Sequence, residues 1–167
     1  MTRCKSRVWR RETEGVKLNA CVARLVPAIA LFAVATAASA ATVGETARRW
    51  GLIGRWSLDC RIPPDHDRGA VLSYQITARN KLVLHRDFGD SEDNAEVIAA
   101  DISGDNQLNL RIYFPQLRQT REVGLVRLPD GTIRAVSNRM RKGAYSIKDG
   151  RIIATGQPTP PQFRCGD

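Results

Sequence analysis

From Gly54 onward the chain alternates apolar and polar residues with a period of two. Trp56, Leu58 and Cys60 alternate with Arg55, Ser57 and Asp59. Leu72, Tyr74 and Ile76 alternate with Ser73, Gln75 and Thr77. The cleanest run places Leu108, Leu110, Ile112 and Phe114 on one face and Asn109, Arg111 and Tyr113 on the other. Successive side chains of a strand point to opposite faces, so each run predicts a strand with one buried face. Further strands are expected at 82–88, 95–102, 121–128, 133–140, 145–147, 151–155 and 162–165. Arg79-Asn80, Ser103–Asn106, Pro129-Asp130-Gly131 and Lys148-Asp149-Gly150 supply the turns between them. The acidic stretch Asp90–Asn94 reads as a loop. Upstream of Gly54 the pattern differs. Thr42-Val43-Gly44-Glu45 has capping-box spacing and predicts a short helix to about Trp50, ended by Gly51 and Gly54.

Eight to ten short strands and no long helix predict an all-β sandwich or barrel. The short connections favour an antiparallel up-and-down barrel. In a closed barrel the first and last strands pair. Cys60 and Cys165 then become neighbours, close enough for the short Cα separation that a disulfide needs. In a sandwich the ends need not meet, so the cysteine placement is independent support for closure. Trp56 and Leu58, both in the inward register of the first strand, are expected to form the base of the core.

The first 40 residues have another character. Positions 1–24 hold seven basic residues against Glu12 and Glu14, and the uncharged run 25–40 ends in Ala38-Ser39-Ala40 before Ala41. A basic leader, an apolar run and a small-x-small site form the pattern of a secretory signal peptide, with cleavage between Ala40 and Ala41. The run is short and alanine-rich for a membrane span, which needs about 20 apolar residues. The expected organisation is a signal peptide at 1–40, an N-terminal segment with a short helix at 41–53, and a β-barrel at 54–167. Removing 1–40 takes away seven of 26 basic and two of 17 acidic residues, leaving 19 against 15 and lowering the net charge from +9 to +4. Cys4 and Cys21 leave with the leader, so Cys60 and Cys165 remain as a pair in a compartment that permits disulfides. A periplasmic or secreted monomer with no membrane span in the mature chain is expected.

Gly54-Arg55-Trp56, at the head of a first strand after a helical lead-in, resembles the first motif of the lipocalin-type, or calycin, barrels. That resemblance implies a tryptophan plugging the barrel base and an arginine near the last strand packing across it, a role that falls to Arg164. By alternation Phe163 and Cys165, not Arg164, take the inward register, and no middle Thr-Asp-Tyr motif is present. Trp50-Gly51-Leu52, Gly54-x-Trp56, Asp59-Cys60, Pro63-Pro64, Arg86-Asp87-Phe88-Gly89 and Arg164-Cys165 together resemble a group of small secreted proteins of Gram-negative bacteria. That resemblance implies export and a disulfide-closed β domain, and no activity. A third likeness, again through Gly-x-Trp, is to periplasmic protease inhibitors. It implies that residues 41–50 enter a protease cleft.

No catalytic constellation assembles from the sequence. There is no Gly-x-Ser-x-Gly, phosphate loop or dinucleotide fingerprint. His66, between Asp65 and Asp67, reads as part of an exposed loop, and His85 should face outward. Two histidines and no close cysteine pair give no metal site. The 89–94 run lacks the central glycine and distal glutamate of a calcium loop. The basic patch Arg139–Lys142 lacks the interleaved aromatics that single-stranded nucleic acid favours. No cofactor and no nucleic-acid partner are expected.

Two arginines carry the functional expectation. Alternation from Leu82 and Leu84 turns Arg86 inward, and alternation from Val123 and Leu125 turns Arg127 inward. An unpaired buried guanidinium is costly, so each must reach a mouth, a carboxylate or a ligand. The expected function is non-enzymatic binding, of a small apolar or anionic ligand near these arginines or of an envelope protein at the barrel rim. The alternative is inhibition of an envelope or secreted protease; a hydrolase comes third.

Overall fold

A computed structural model describes residues 41–166, so the signal-peptide reading of 1–40, including Ala40, lies outside the described residues. The chain enters through helix α1 (Val43–Trp50). Thr42 caps it: the Thr42 hydroxyl accepts from the Glu45 amide, while the Glu45 carboxylate accepts from the Thr42 amide at 2.8 Å. That backbone hydrogen bond holds the Glu45 carboxyl below its ordinary pKa. Gly51 ends the helix in the left-handed conformation (φ 84°), a geometry that glycine adopts without penalty.

Ten strands follow: β1 (Gly54–Ser57), β2 (Val71–Ile76), β3 (Leu82–Asp87), β4 (Glu92–Ile102), β5 (Leu108–Phe114), β6 (Gln119–Arg127), β7 (Ile133–Met140), β8 (Tyr145–Lys148), β9 (Arg151–Ile152) and β10 (Phe163–Cys165). All pairings are antiparallel, and the strand order is β10-β1-β2-β3-β4-β5-β6-β7-β8-β9. The sheet is thus an up-and-down meander to which the last strand returns beside the first. The strand ladder does not close on itself. β8 and β9 continue past β7, and the segment before β10 meets them through isolated bridges, Ile133 with Gln162 on β7 and Arg151 with Pro158 on β9, and through the Thr159 hydroxyl, which donates to the Ala135 carbonyl of β7 at 2.6 Å.

Inward positions follow the alternation. Trp56, Leu82, Leu84, Val97, Leu108, Leu110, Ile112, Leu125 and Ile133 form one buried cluster, joined by Ala47, Trp50 and Leu52 from the lead-in. α1 therefore contributes part of the core instead of lying free. The Trp50 indole donates to the Asn106 carbonyl at 2.8 Å, tying the helix to the turn between β4 and β5. Among the described residues, no helix is long and apolar enough to cross a membrane.

The closed barrel expected from the sequence is not what the ladder forms, because β9 and β10 are the two ends of the strand order and do not pair. The expected strand 151–155 is cut to Arg151–Ile152 by a turn in which Gly156 donates to the Ile152 carbonyl. The chain departs from the sequence expectation in three further places. β1 stops at Ser57, so Leu58 and Cys60 lie in the bend beyond it. Leu58 is only half-buried and stands outside the core cluster. The Ser57 hydroxyl bonds locally to the backbone of Asp59, and such short-range bonds compete with the ladder. Second, the acidic run is mostly strand: Glu92, Asp93 and Asn94 pair with Asp87, Arg86 and His85. The Arg86–Asp93 ion pair and the His85–Asn94 hydrogen bond favour the strand at two of these positions, while Glu92 faces the like-charged Asp87 and turns instead toward His85. Third, Phe163 is 48% exposed and Arg164, its neighbour, stands opposite the buried Trp56.

Candidate functional site

The end of the sheet farthest from α1 gathers the polar residues that share the inward face. Arg86 closes β3 and faces Asp93 across the ladder. Its Nε donates to Asp93 Oδ1 at 2.7 Å, and its terminal nitrogen completes a fork on Oδ2. The two side chains are 23% and 19% exposed. The guanidinium also lies 4.5 Å from the ring centre of buried Phe114, and 5.4 Å from that of Phe88. Next to it, Tyr74 is buried in the core; burial raises its phenol pKa, with Arg86 acting in the opposite direction.

Arg121 completes the group. It lies on β6, next to β5, with its guanidinium 5.8 Å from the Phe114 ring centre, and its Nε is buried with no hydrogen-bond partner among the described residues. Asn138 Oδ1, on the next strand and one inward step away, is buried in the same state. Within this inward-facing group, two guanidinium groups, Arg86 and Arg121, share one carboxylate, Asp93; Asp87, Asp90 and Glu92 lie beside it at the same end of the sheet. Sequence reasoning missed Arg121, although the alternation from Val123 and Leu125 that selected Arg127 also runs backward to Arg121.

Arg127 does not join this group. It donates to the carbonyls of Trp50 (2.7 Å) and Gly51 (3.1 Å) and stacks 5.2 Å from the Trp50 ring. The cause is strand parity. β3 and β6 are three strands apart in a meander and run oppositely, so residues at their C-terminal ends lie at opposite ends of the sheet. Arg127 is a cation at the C-terminus of α1, where free carbonyls and the helix dipole favour it. Arg164 likewise serves backbone: it donates to the Ile53 carbonyl at 2.9 Å.

Cys60 and Cys165 form a disulfide with Cα atoms 5.3 Å apart. His66 stacks on Phe88 with ring centres 5.0 Å apart and approaches Asp90 at 3.0 Å, in the loop region beside the Arg86 end. His85 faces outward with Asn94 at 3.1 Å. The basic patch is engaged at its first residue, where Arg139 donates to Glu122 at 2.7 Å. No group of three or more metal-ligating side chains occurs among the described residues.

No family model, curated protein or solved structure matches this chain.

The Arg86–Asp93 fork makes a separable prediction. Removing one partner of a buried pair strands the other's charge, but these groups keep contact with water, which reduces the cost. Asp93→Ala is expected to destabilise by about 1–2 kcal/mol. Paired with Arg86→Met, which also removes the charge, it should recover part of that loss in a denaturant titration. An Asp93→Ala midpoint equal to the parent's would show that the fork contributes nothing to folding.

Proposed function

We propose that this chain is an exported, non-enzymatic binding protein, built as a lipocalin-like barrel, that takes an anionic group at its Arg86–Arg121 end. One observation carries the reading: Arg121 presents a buried Nε–H without a partner, beside a second guanidinium on the same aromatic ring. An unmet buried donor costs about 1–3 kcal/mol, and a carboxylate or phosphate oxygen placed there would remove that cost. Phe114 and Phe88 offer apolar surface beside the charge, which suits an anionic head group carrying a hydrocarbon portion. Pairing of β1 with β10 and the Ile133–Gln162 bridge support barrel closure. The disulfide and the leader pattern support export. The inhibitor reading needs residues 41–50 as an extended arm, whereas 43–50 are helical with Ala47 and Trp50 in the core.

Calorimetric titration with inorganic phosphate and with dodecanoate tests the proposal. Saturable binding of at least one is expected, weakened about tenfold or more in Arg121→Gln, the equivalent of one charge-assisted hydrogen bond. Arg111→Gln, on the opposite face, should leave it unchanged. Absence of binding for both anions, or equal affinity in Arg121→Gln, overturns the reading.

A further inference from the structure

The opposite face of the sheet carries a second feature, independent of the anion reading. Outward-facing residues of β4 to β8 form two adjacent cross-strand rows. One runs Ala99, Arg111, Glu122, Arg139 and Tyr145; the other runs Asp101, Asn109, Gly124 and Ser137. Between them lies a trough of about 350 Å³. Long side chains of the first row make its wall, and the small residues Ala99, Gly124 and Ser137 make its floor. A Cβ at Gly124 would stand 2.6 Å from Ser137 Oγ and 2.8 Å from Gln107 Nε2, so a larger residue there would push these two side chains aside and fill the trough.

The register shifts within these pairings fall at Val97/Ala99, Gly124/Leu125 and Asn138/Arg139. Each one borders the trough. A bulge bends its strand and re-aims side chains, and bulges concentrate beside functional sites. Three such register shifts thus lie around one depression.

We propose that this trough binds a neutral, polyhydroxylated ligand, a segment of a glycan chain. Its charged groups balance, Asp101 and Glu122 against Arg111 and Arg139. An anion would meet two carboxylates there, and an apolar ligand would strip water from four charges without replacing its hydrogen bonds. A sugar hydroxyl both donates and accepts, which matches a wall of alternating donors and acceptors. The polar groups are already oriented: Gln107 donates to Asn109 at 2.6 Å, Asn109 donates to Asp101 at 3.0 Å, and Glu122 accepts from Arg139 at 2.7 Å. The half-exposed Tyr145 ring, with Arg139 5.5 Å from its centre, supplies an apolar surface at one end. Such a surface suits the C–H face of a pyranose.

The test is a titration of the isotope-labelled full chain with maltohexaose, cellohexaose and N-acetylchitohexaose at millimolar concentration, followed by amide chemical shifts. At least one should give saturable shifts centred on Ala99, Asn109, Gly124, Ser137 and Tyr145. Tyr145→Ala and Asn109→Ala, both at half-exposed or exposed positions that leave the core intact, should each weaken binding about five- to tenfold, the equivalent of one ordinary hydrogen bond. Arg121→Gln should not change it, which separates this site from the anion site. No saturable shift with any of the three overturns the proposal. So do shifts unaffected by both trough variants, and so does tighter binding of trigalacturonate than of the neutral sugars.

Discussion

Trp56→Ala is expected to destabilise the protein by about 3–5 kcal/mol, the range for emptying a buried aromatic site. Trp56 has no exposed surface, is among the largest fully buried side chains, and sits on β1 between β2 and β10. Its loss removes more than packing. The indole Nε1 donates to the Leu52 carbonyl at 2.7 Å, which fixes the lead-in against the first strand. Truncation leaves that carbonyl without its partner in a buried setting, a further cost of about 1–3 kcal/mol where water does not enter. For a domain of this size, the combined loss of about 4–8 kcal/mol lowers Tm by roughly 15–30 °C, at about 4 °C per kcal/mol. Leu58→Ala is the informative companion. Its half-buried position outside the core cluster predicts a loss of about 1 kcal/mol or less. Equal losses for the two variants in thermal or urea melts would contradict the placement of Leu58 outside the core.

Cys60→Ser with Cys165→Ser is expected to cost about 2–5 kcal/mol. The bridge spans 105 positions, and a crosslink over so long a loop restricts the unfolded chain strongly. The native state has a local reason to need it. β10 is three residues long and β1 four, and Phe163 and Arg164 bury little of themselves. The other ties that hold the last strand beside the first and near β7 are three ladder positions, the Arg164 bond to the Ile53 carbonyl, the Ile133–Gln162 bridge and the Thr159 hydroxyl, which donates to the Ala135 carbonyl. Hydrogen exchange of the reduced protein should therefore show β10 and β1 opening first, with β4, β5 and β6 keeping their protection. A reduced protein whose Tm falls by less than about 2 °C, well under the handful of degrees that 1 kcal/mol brings, would show that the strand contacts suffice.

Of the two arginines picked from the pattern, Arg86 stands half-buried at the polar end, while Arg127 is exposed at the other end against Trp50. Alternation within β6 cannot say at which end of the sheet Arg127 lies; counting strands between it and Arg86 can. Asp93 was hidden for a related reason. An acidic run reads as loop until its partners across the ladder are known, and here Asp93 faces Arg86 and Asn94 faces His85. Arg121 was within reach of the same alternation that found Arg127, and what distinguishes it, a buried Nε–H beside Phe114, exists only once three strands are side by side.

The sequence by itself determined most of the strands, the capped lead-in helix, the meander order implied by short turns, the cysteine pair and the deep burial of Trp56. These depend on local chemistry: period-two hydrophobicity, capping-box spacing and turn residues act over a few positions. Tertiary structure alone decided where β1 ends, that the ladder stays open apart from isolated bridges, that Arg127 caps α1, and that Arg121 joins Arg86. It also made the trough over Gly124, which needs several strands in register and three bulges around them. Those features depend on which strand ends meet and on where the ladder slips by one residue, and a single strand's pattern holds neither.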